Sequence, residues 1–278
     1  MEKVLLTTNH FPVTAHVFYP EKDDGRLLLI NSATGVRQQV YFSFAQYFCQ
    51  QGFTVITYDY QGIGLSKPEK LSGFEASMRT WGTEDYQAVT NYVKAHFKGY
   101  RKYCLGHSVG ALILGMNKDS EMFEKFIFVA TQNAFAGNLK CKTKIEAYLG
   151  FGVAQPLTTA WLGYFPSHWF GLGESLPKNC AYDWRTLILN KKSTNRLLEK
   201  TDDYSENLTQ EVFVLRAEDD VWLTEKGVRS LLDDTYPNLK PTYRLIKASE
   251  SEKGKIGHIN FFRTYNKGLW HIVLNKLN

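Results

Sequence analysis

Short apolar runs alternate along this chain with stretches in which apolar residues recur every three or four positions. Residues 26–31 (RLLLIN) and 53–58 (FTVITY) are apolar almost throughout and too short for a helix, as expected of strands buried on both faces. Residues 103–105 and 126–130 read the same way, and 212–217 and 243–246 supply two late strands. Between them, Phe42, Ala45 and Phe48 keep helical spacing over 40–51, with Gly52 as the stop. Val89, Tyr92, Val93 and His96 share one face of a helix expected over 83–97. Shorter helical patterns cover 111–117 and 224–232, and 260–277 reads as a closing helix. At the start, 4–7 and 13–19 alternate about a turn at 9–12, which predicts a hairpin. Strands separated by helices over the whole length predict an α/β fold, a largely parallel sheet covered on both sides.

One region breaks the rhythm. From Thr131 to about Glu206 the chain has no clear apolar strand but many aromatics, among them Phe135, Phe151, Trp161, Trp169 and Trp184. The expected organisation is a core of residues 1–131 and 207–278, with 132–206 inserted as a helical or loop-rich cap. Its aromatics suit either an apolar pocket or the cap's own small core.

Composition changes this picture little. With 278 residues, 44% hydrophobic, 14% aromatic and 22% charged, the chain is long enough for one sizeable domain with an insertion. A formal charge of +5 does not point to nucleic acid, and the densest basic group, Lys140, Lys142 and Lys144, reads as a solvated face. Cys49, Cys104, Cys141 and Cys180 form no CxxC pair and no cluster with zinc-ligand spacing, so neither metal nor organic cofactor is expected. Unpaired cysteines, no recognisable signal peptide and no run approaching ~18 apolar residues lead to the expectation of a cytoplasmic protein without integral membrane association.

The sharpest chemical feature is Gly106-His107-Ser108-Val109-Gly110. It fits G-x-S-x-G, a sharp strand-to-helix turn that lifts a serine hydroxyl above the sheet and aims a helix N-terminus at it. Position matters more than pattern: a buried strand leads into it and a helical segment follows. Ser108 is the expected nucleophile. A serine needs a base, and the base an orienting acid, which in such folds follow the serine in the order acid, then histidine. His258, between the last strand and the final helix, fits the base. His271 is the later alternative, inside that helix. The strand at 212–217 is followed by three acids, Glu218, Asp219 and Asp220. Backbone donors for an oxyanion are expected at Val109 and in the loop 31–36, where Ala33 is favoured over Thr34.

These motifs resemble the α/β-hydrolase superfamily over nearly the whole chain. Asp59-Tyr60-Gln61-Gly62-Ile63-Gly64-Leu65-Ser66 is similar to that superfamily's D-x-R-G-x-G-x-S segment, with Gln61 in place of the arginine. A narrower resemblance is to a group of bacterial serine α/β-hydrolases of undefined substrate. It rests on Asn31-Ser32-Ala33-Thr34-Gly35-Val36, on Asp59–Ser66, on Gly257-His258 with Phe261-Phe262-Arg263, and on Leu176-Pro177-Lys178 and Trp184. The resemblance implies an eight-stranded, mostly parallel sheet with a lid. It also implies that the catalytic acid lies about three residues beyond Ala217, which selects Asp220 over Asp219.

The function expected from these residues is hydrolysis of an ester or related acyl bond through an acyl-enzyme on Ser108. A carboxylesterase acting on a small hydrophobic acyl compound is the central reading. An acyltransferase or thioesterase with the same triad is the rival, and a non-catalytic binding protein on the same fold is the reading from another class.

Overall fold

The computed structural model describes residues 1–278. The main sheet is built from β1 (Glu2–Leu6), β2 (Val13–Phe18), β3 (Arg26–Asn31), β4 (Phe53–Tyr58), β5 (Arg101–His107) and β6 (Lys125–Val129), and, after two very short strands β7 (Tyr164–Phe165) and β8 (Leu176–Pro177), by β9 (Glu211–Ala217) and β10 (Lys240–Ile246). Its eight strands run in the order β1-β2-β4-β3-β5-β6-β9-β10. β1 and β2 form the expected hairpin, β2 joins β4 antiparallel, and every later pairing is parallel.

The helices are α1 (Phe42–Cys49), α2 (Met78–Thr80), α3 (Tyr86–His96), α4 (Val109–Leu112), α5 (Cys141–Leu149), α6 (Gln155–Leu162), α7 (Lys178–Leu189), α8 (Thr194–Leu198), α9 (Glu225–Asp234) and α10 (His271–Leu277). Burial follows the apolar patterns. β4 is buried at every position, which explains its nearly unbroken apolar run. β2 is buried throughout although it alternates and carries the polar Thr14 and His16, whereas β10 at the sheet edge is largely exposed. Trp81, Trp270 and eight or more tyrosines and phenylalanines are fully buried about the sheet.

Several expected elements differ in extent. α3 is preceded by a π-helical turn (Trp81–Asp85) that runs on from α2, so helical backbone starts at Met78 rather than near 83. Ser77 begins it by accepting from the Thr80 N–H at 3.0 Å. The helix expected over 111–117 is α4 followed by a 3-10 turn (Leu114–Met116). The closing helix expected over 260–277 is broken into two 3-10 segments (Asn260–Phe262 and Thr264–Leu269) before α10. There the Trp270 indole N–H reaches back to the Phe261 carbonyl at 2.7 Å, and Phe261 and Phe262 pack under Phe44. Aromatic packing against α1 overrides a regular helix.

The chain between β6 and β9 holds α5 to α8 and the two-residue pairing of β7 with β8. α5, a π-helical turn (Gly150–Ala154) and α6 make one continuous rod lying against α7. Its aromatics divide between two fates. Phe151 packs edge-on to Trp184, 5.0 Å between ring centroids, whereas Trp161, Trp169 and Phe170 are exposed. Glu174 fastens this region to the sheet. Its carboxylate accepts from Arg37 Nε at 2.6 Å and from the Gly64 N–H at 2.7 Å, and its own N–H donates to the Gly35 carbonyl at 2.8 Å.

Candidate active site

The C-terminal ends of β3, β5, β6 and β9 open on a common space, and each contributes one loop to it. In the loop after β5, Ser108 has φ 53° and ψ −116°, a backbone conformation that a side-chain-bearing residue adopts only under compulsion. The compulsion is visible. The Ser108 N–H donates to the Val129 carbonyl at 2.9 Å, and its carbonyl accepts from the Thr131 hydroxyl at 2.9 Å. The motif glycines let α4 fold back tightly: a Cβ on Gly106 would lie 2.6 Å from the Ala111 backbone, and one on Gly110 would press into the Asn31 carbonyl.

His258 and Asp220 meet across the loops after β10 and β9. His258 Nδ1 lies 2.8 Å from Asp220 Oδ2. The carboxylate is sealed from solvent, and its Oδ1 accepts from the Trp222 N–H at 2.9 Å. Because Nδ1 donates to a carboxylate, the uncharged ring presents Nε2 as the lone-pair nitrogen. Ser108 and His258 line the same cavity, with no hydrogen bond between hydroxyl and imidazole. The neighbouring acids do different work. Asp219 accepts from the Ile256 and Gly257 N–H groups, both at 2.9 Å, and so pins the loop that carries His258. Glu218 stays at the exposed end of the run, 3.4 Å from the Ala248 N–H. His271 is far from this arrangement in role: it is exposed and caps the Gly268 carbonyl.

The oxyanion loop needs a correction. The Ala33 N–H donates to the Tyr41 hydroxyl at 2.9 Å, so it is not the free donor expected of it. The Thr34 N–H in the same loop has no acceptor within the protein, and Thr34 lines the cavity. The Val109 N–H opens α4 and has no intrahelical partner.

Two residues that no motif singled out join these parts. Tyr41 Oη also lies 2.7 Å from His107 Nδ1, and His107 Nε2 lies 2.8 Å from the His258 carbonyl. Burial, and next the nearby His258 ring, push His107 down from 6.5 to about 3, so its ring is neutral and carries one hydrogen. A carbonyl can only accept, which puts that hydrogen on Nε2 and leaves Nδ1 to accept from Tyr41. The result is one directed chain, from the Ala33 N–H through the Tyr41 hydroxyl and the His107 ring to the His258 carbonyl. His107 was visible only as the variable residue of the motif, and Tyr41 only as one more apolar position before α1.

The cavity holds about 220 Å³. Leu139, Leu172, Trp184 and Ile188 close it from the β6–β9 insertion, and Trp222 and Leu223 from the loop beyond Asp220. No cluster of histidine, cysteine, aspartate or glutamate side chains has a metal-binding arrangement.

An eight-stranded sheet with a strained serine after β5 and a histidine–carboxylate pair beyond β9 and β10 defines an α/β-hydrolase, and the chain is a member of that superfamily. Within it, the model of the family described as serine aminopeptidase, S33, matches residues 26–155, just under half of the chain. That stretch includes Ser108 and ends before Asp220 and His258. A protein named Probable aminopeptidase YbaC, of Bacillus subtilis (strain 168), is 31% identical over 87 residues, 31% of this chain and 27% of that protein's length. Among solved structures, a highly thermostable carboxyl esterase from Bacillus coagulans superposes with a TM-score of 0.70 at 12% identity, over 100% of this chain and 97% of its own. An N-acyl homoserine lactone degrading enzyme superposes with a TM-score of 0.64 at 15% identity, over 99% and 100%. At such identities the likeness is one of fold.

Proposed function

We propose that the protein is a serine hydrolase that cleaves an ester of a small hydrophobic acyl group, with Ser108, His258 and Asp220 as its triad. The observation that carries this reading is the 2.8 Å pair of His258 Nδ1 and Asp220 at the wall of the cavity that Ser108 enters. Residues 132–206 act as the cap over that cavity. Their apolar lining favours an acyl chain over a charged substrate.

In the proposed reaction the substrate carbonyl lies against the Ser108 hydroxyl. His258 Nε2 takes the hydroxyl proton as Oγ attacks the carbonyl carbon, and Asp220 stabilises the imidazolium that forms. The carbonyl oxygen gains the negative charge and is held by the Val109 and Thr34 N–H groups. Collapse of the tetrahedral intermediate breaks the ester C–O bond, and His258 returns its proton to the leaving alcohol. Water, deprotonated by His258, then attacks the acyl-enzyme and releases the acid. The hydroxyl and the imidazole close their hydrogen bond on substrate binding, as catalytic contacts often do.

A fluorophosphonate probe and a panel of p-nitrophenyl esters of increasing chain length test this. Wild type is expected to be labelled and to turn over short esters, and Ser108→Ala to do neither. Absence of labelling in folded wild type would sink the reading. Labelling without hydrolysis of any ester would replace it with the acyltransferase reading.

A further inference from the structure

The rod formed by α5, the π-helical turn and α6 is inside out. Its inward face carries Thr143, Ala147, Phe151, Gln155 and Thr159, all buried. Both polar atoms of the Gln155 side chain and the Thr159 hydroxyl have no hydrogen-bond partner there. Its outward face carries Ile145, Leu149, Val153, Leu157 and Trp161, spaced four apart and 54–77% exposed. A helix of a water-facing surface shows the opposite arrangement. The π-helical turn at its centre helps to hold residues four apart in one line, since a wider turn offsets their drift.

The charge pattern says what this face meets. Residues 147–173 contain no aspartate, glutamate, lysine or arginine, although such residues make up 22% of the chain. Trp169 and Phe170, further along the same stretch, are also exposed, and Leu172 just beyond them lines the cavity. The charges at the start of the rod are Lys140, Lys142 and Lys144 against the single acid Glu146. A protein partner would ordinarily be met by a polar rim with both signs of charge. An uncharged apolar ridge bearing tryptophans and bordered by lysines instead matches the layered chemistry of a bilayer surface: acyl chains for the ridge, interfacial depth for the tryptophans, anionic headgroups for the lysines. No helix of the protein is long and apolar enough to cross a membrane, so the contact is a surface one.

We propose that the outer face of residues 141–162, with Lys140, Lys142 and Lys144 at its edge, docks the protein onto a lipid surface carrying anionic headgroups. The ridge enters the headgroup layer and the cavity behind Leu172 faces the membrane. This surface is separate from the residues assigned to catalysis, so the docking stands or falls independently of the ester reading.

Flotation of the full chain with phosphatidylcholine vesicles, with and without phosphatidylglycerol, tests it. Wild type is expected to float with the mixed vesicles, and Leu149→Glu/Leu157→Glu/Trp161→Glu to bind at least tenfold less with an unchanged thermal midpoint. Lys140→Glu/Lys142→Glu/Lys144→Glu is expected to lose the preference for phosphatidylglycerol, and raised salt to weaken wild-type binding. Failure of wild type to float with either vesicle would overturn the proposal. So would a concentration-dependent dimer in sedimentation that the ridge variant abolishes, because the ridge would then be covered by a second copy.

Discussion

Tyr41 is fully buried, and its hydroxyl is fully used: it accepts from Ala33 and donates to His107. Burial holds the phenol well above its ordinary range, so it keeps its proton wherever the fold survives. Through His107 the same hydroxyl fixes the loop of His258. Tyr41→Phe keeps the ring against Phe262, 4.7 Å between centroids, but leaves the Ala33 N–H buried without an acceptor. The expected outcome is a kcat lower by about tenfold, the size of one hydrogen bond misplaced in a positioning network, with KM changed far less. Equal loss in KM and kcat, or no loss, would show that the chain of hydrogen bonds does not position the reacting groups. Chain order and loop placement pointed to Ser108 and His258, the family resemblance pointed to Asp220, and the structure brings His258 and Asp220 into contact. Ala33 was misread because its donor is captured by a residue eight positions on, and no motif records where an N–H points.

At the level of elements, the turn at Ser108 depends on how closely α4 lies on β3 and β5. Gly110 has no room for a side chain beside the Asn31 carbonyl, and Asn31 Nδ2 donates in return to the Gly110 carbonyl at 3.1 Å. Gly110→Ala is therefore expected to destabilise the fold by about 1–3 kcal/mol through overpacking. Urea unfolding checks this, and an unchanged midpoint would show that α4 can move outward freely. The central strands were well predicted because burial on both faces leaves a nearly unbroken apolar run, and the first hairpin because its two strands alternate about a turn. Helix ends were predicted less well. The π-helical turns at Trp81–Asp85 and Gly150–Ala154 leave no clear sequence signal, and the break at 260–269 follows from aromatic packing on α1.

Over the whole molecule, Gln61 has a consequence that reaches beyond its own segment. Its side chain donates to Asp85 Oδ1 at 2.6 Å, and its N–H to Oδ2 at 2.8 Å. Asp85 is fully buried, and a neutral amide cannot balance its charge as an arginine would. Burial therefore raises the carboxyl from 3.8 to about 7, with the Gln61 hydrogen bonds opposing. Since the folded value lies above the unfolded one, the folded state holds an extra proton between about pH 4 and 7. The stability this contributes is complete below about pH 4 and is lost as pH rises through 7. Thermal midpoints of wild type and Asp85→Asn measured from pH 5 to 8.5 should diverge, with wild type falling relative to the variant up to about pH 7. Parallel curves would mean that Asp85 is ionised throughout.

The sequence by itself determined the alternation of strands and helices, the largely parallel sheet that follows from it, and the order along the chain of Ser108, the acidic run 218–220 and His258, whereas the count of eight strands and the choice of Asp220 came with the family resemblance. These are properties of local periodicity and of position along the chain. Tertiary structure alone decided that Asp219 pins the loop of His258, that Tyr41 and His107 link the site's two sides, and that the 141–162 rod turns its apolar face outward. Each of these depends on the direction of a side chain or an N–H group relative to an element distant in sequence. Periodicity shows that a helix has an apolar face, but only the packing of α7 beneath it decides whether that face looks inward.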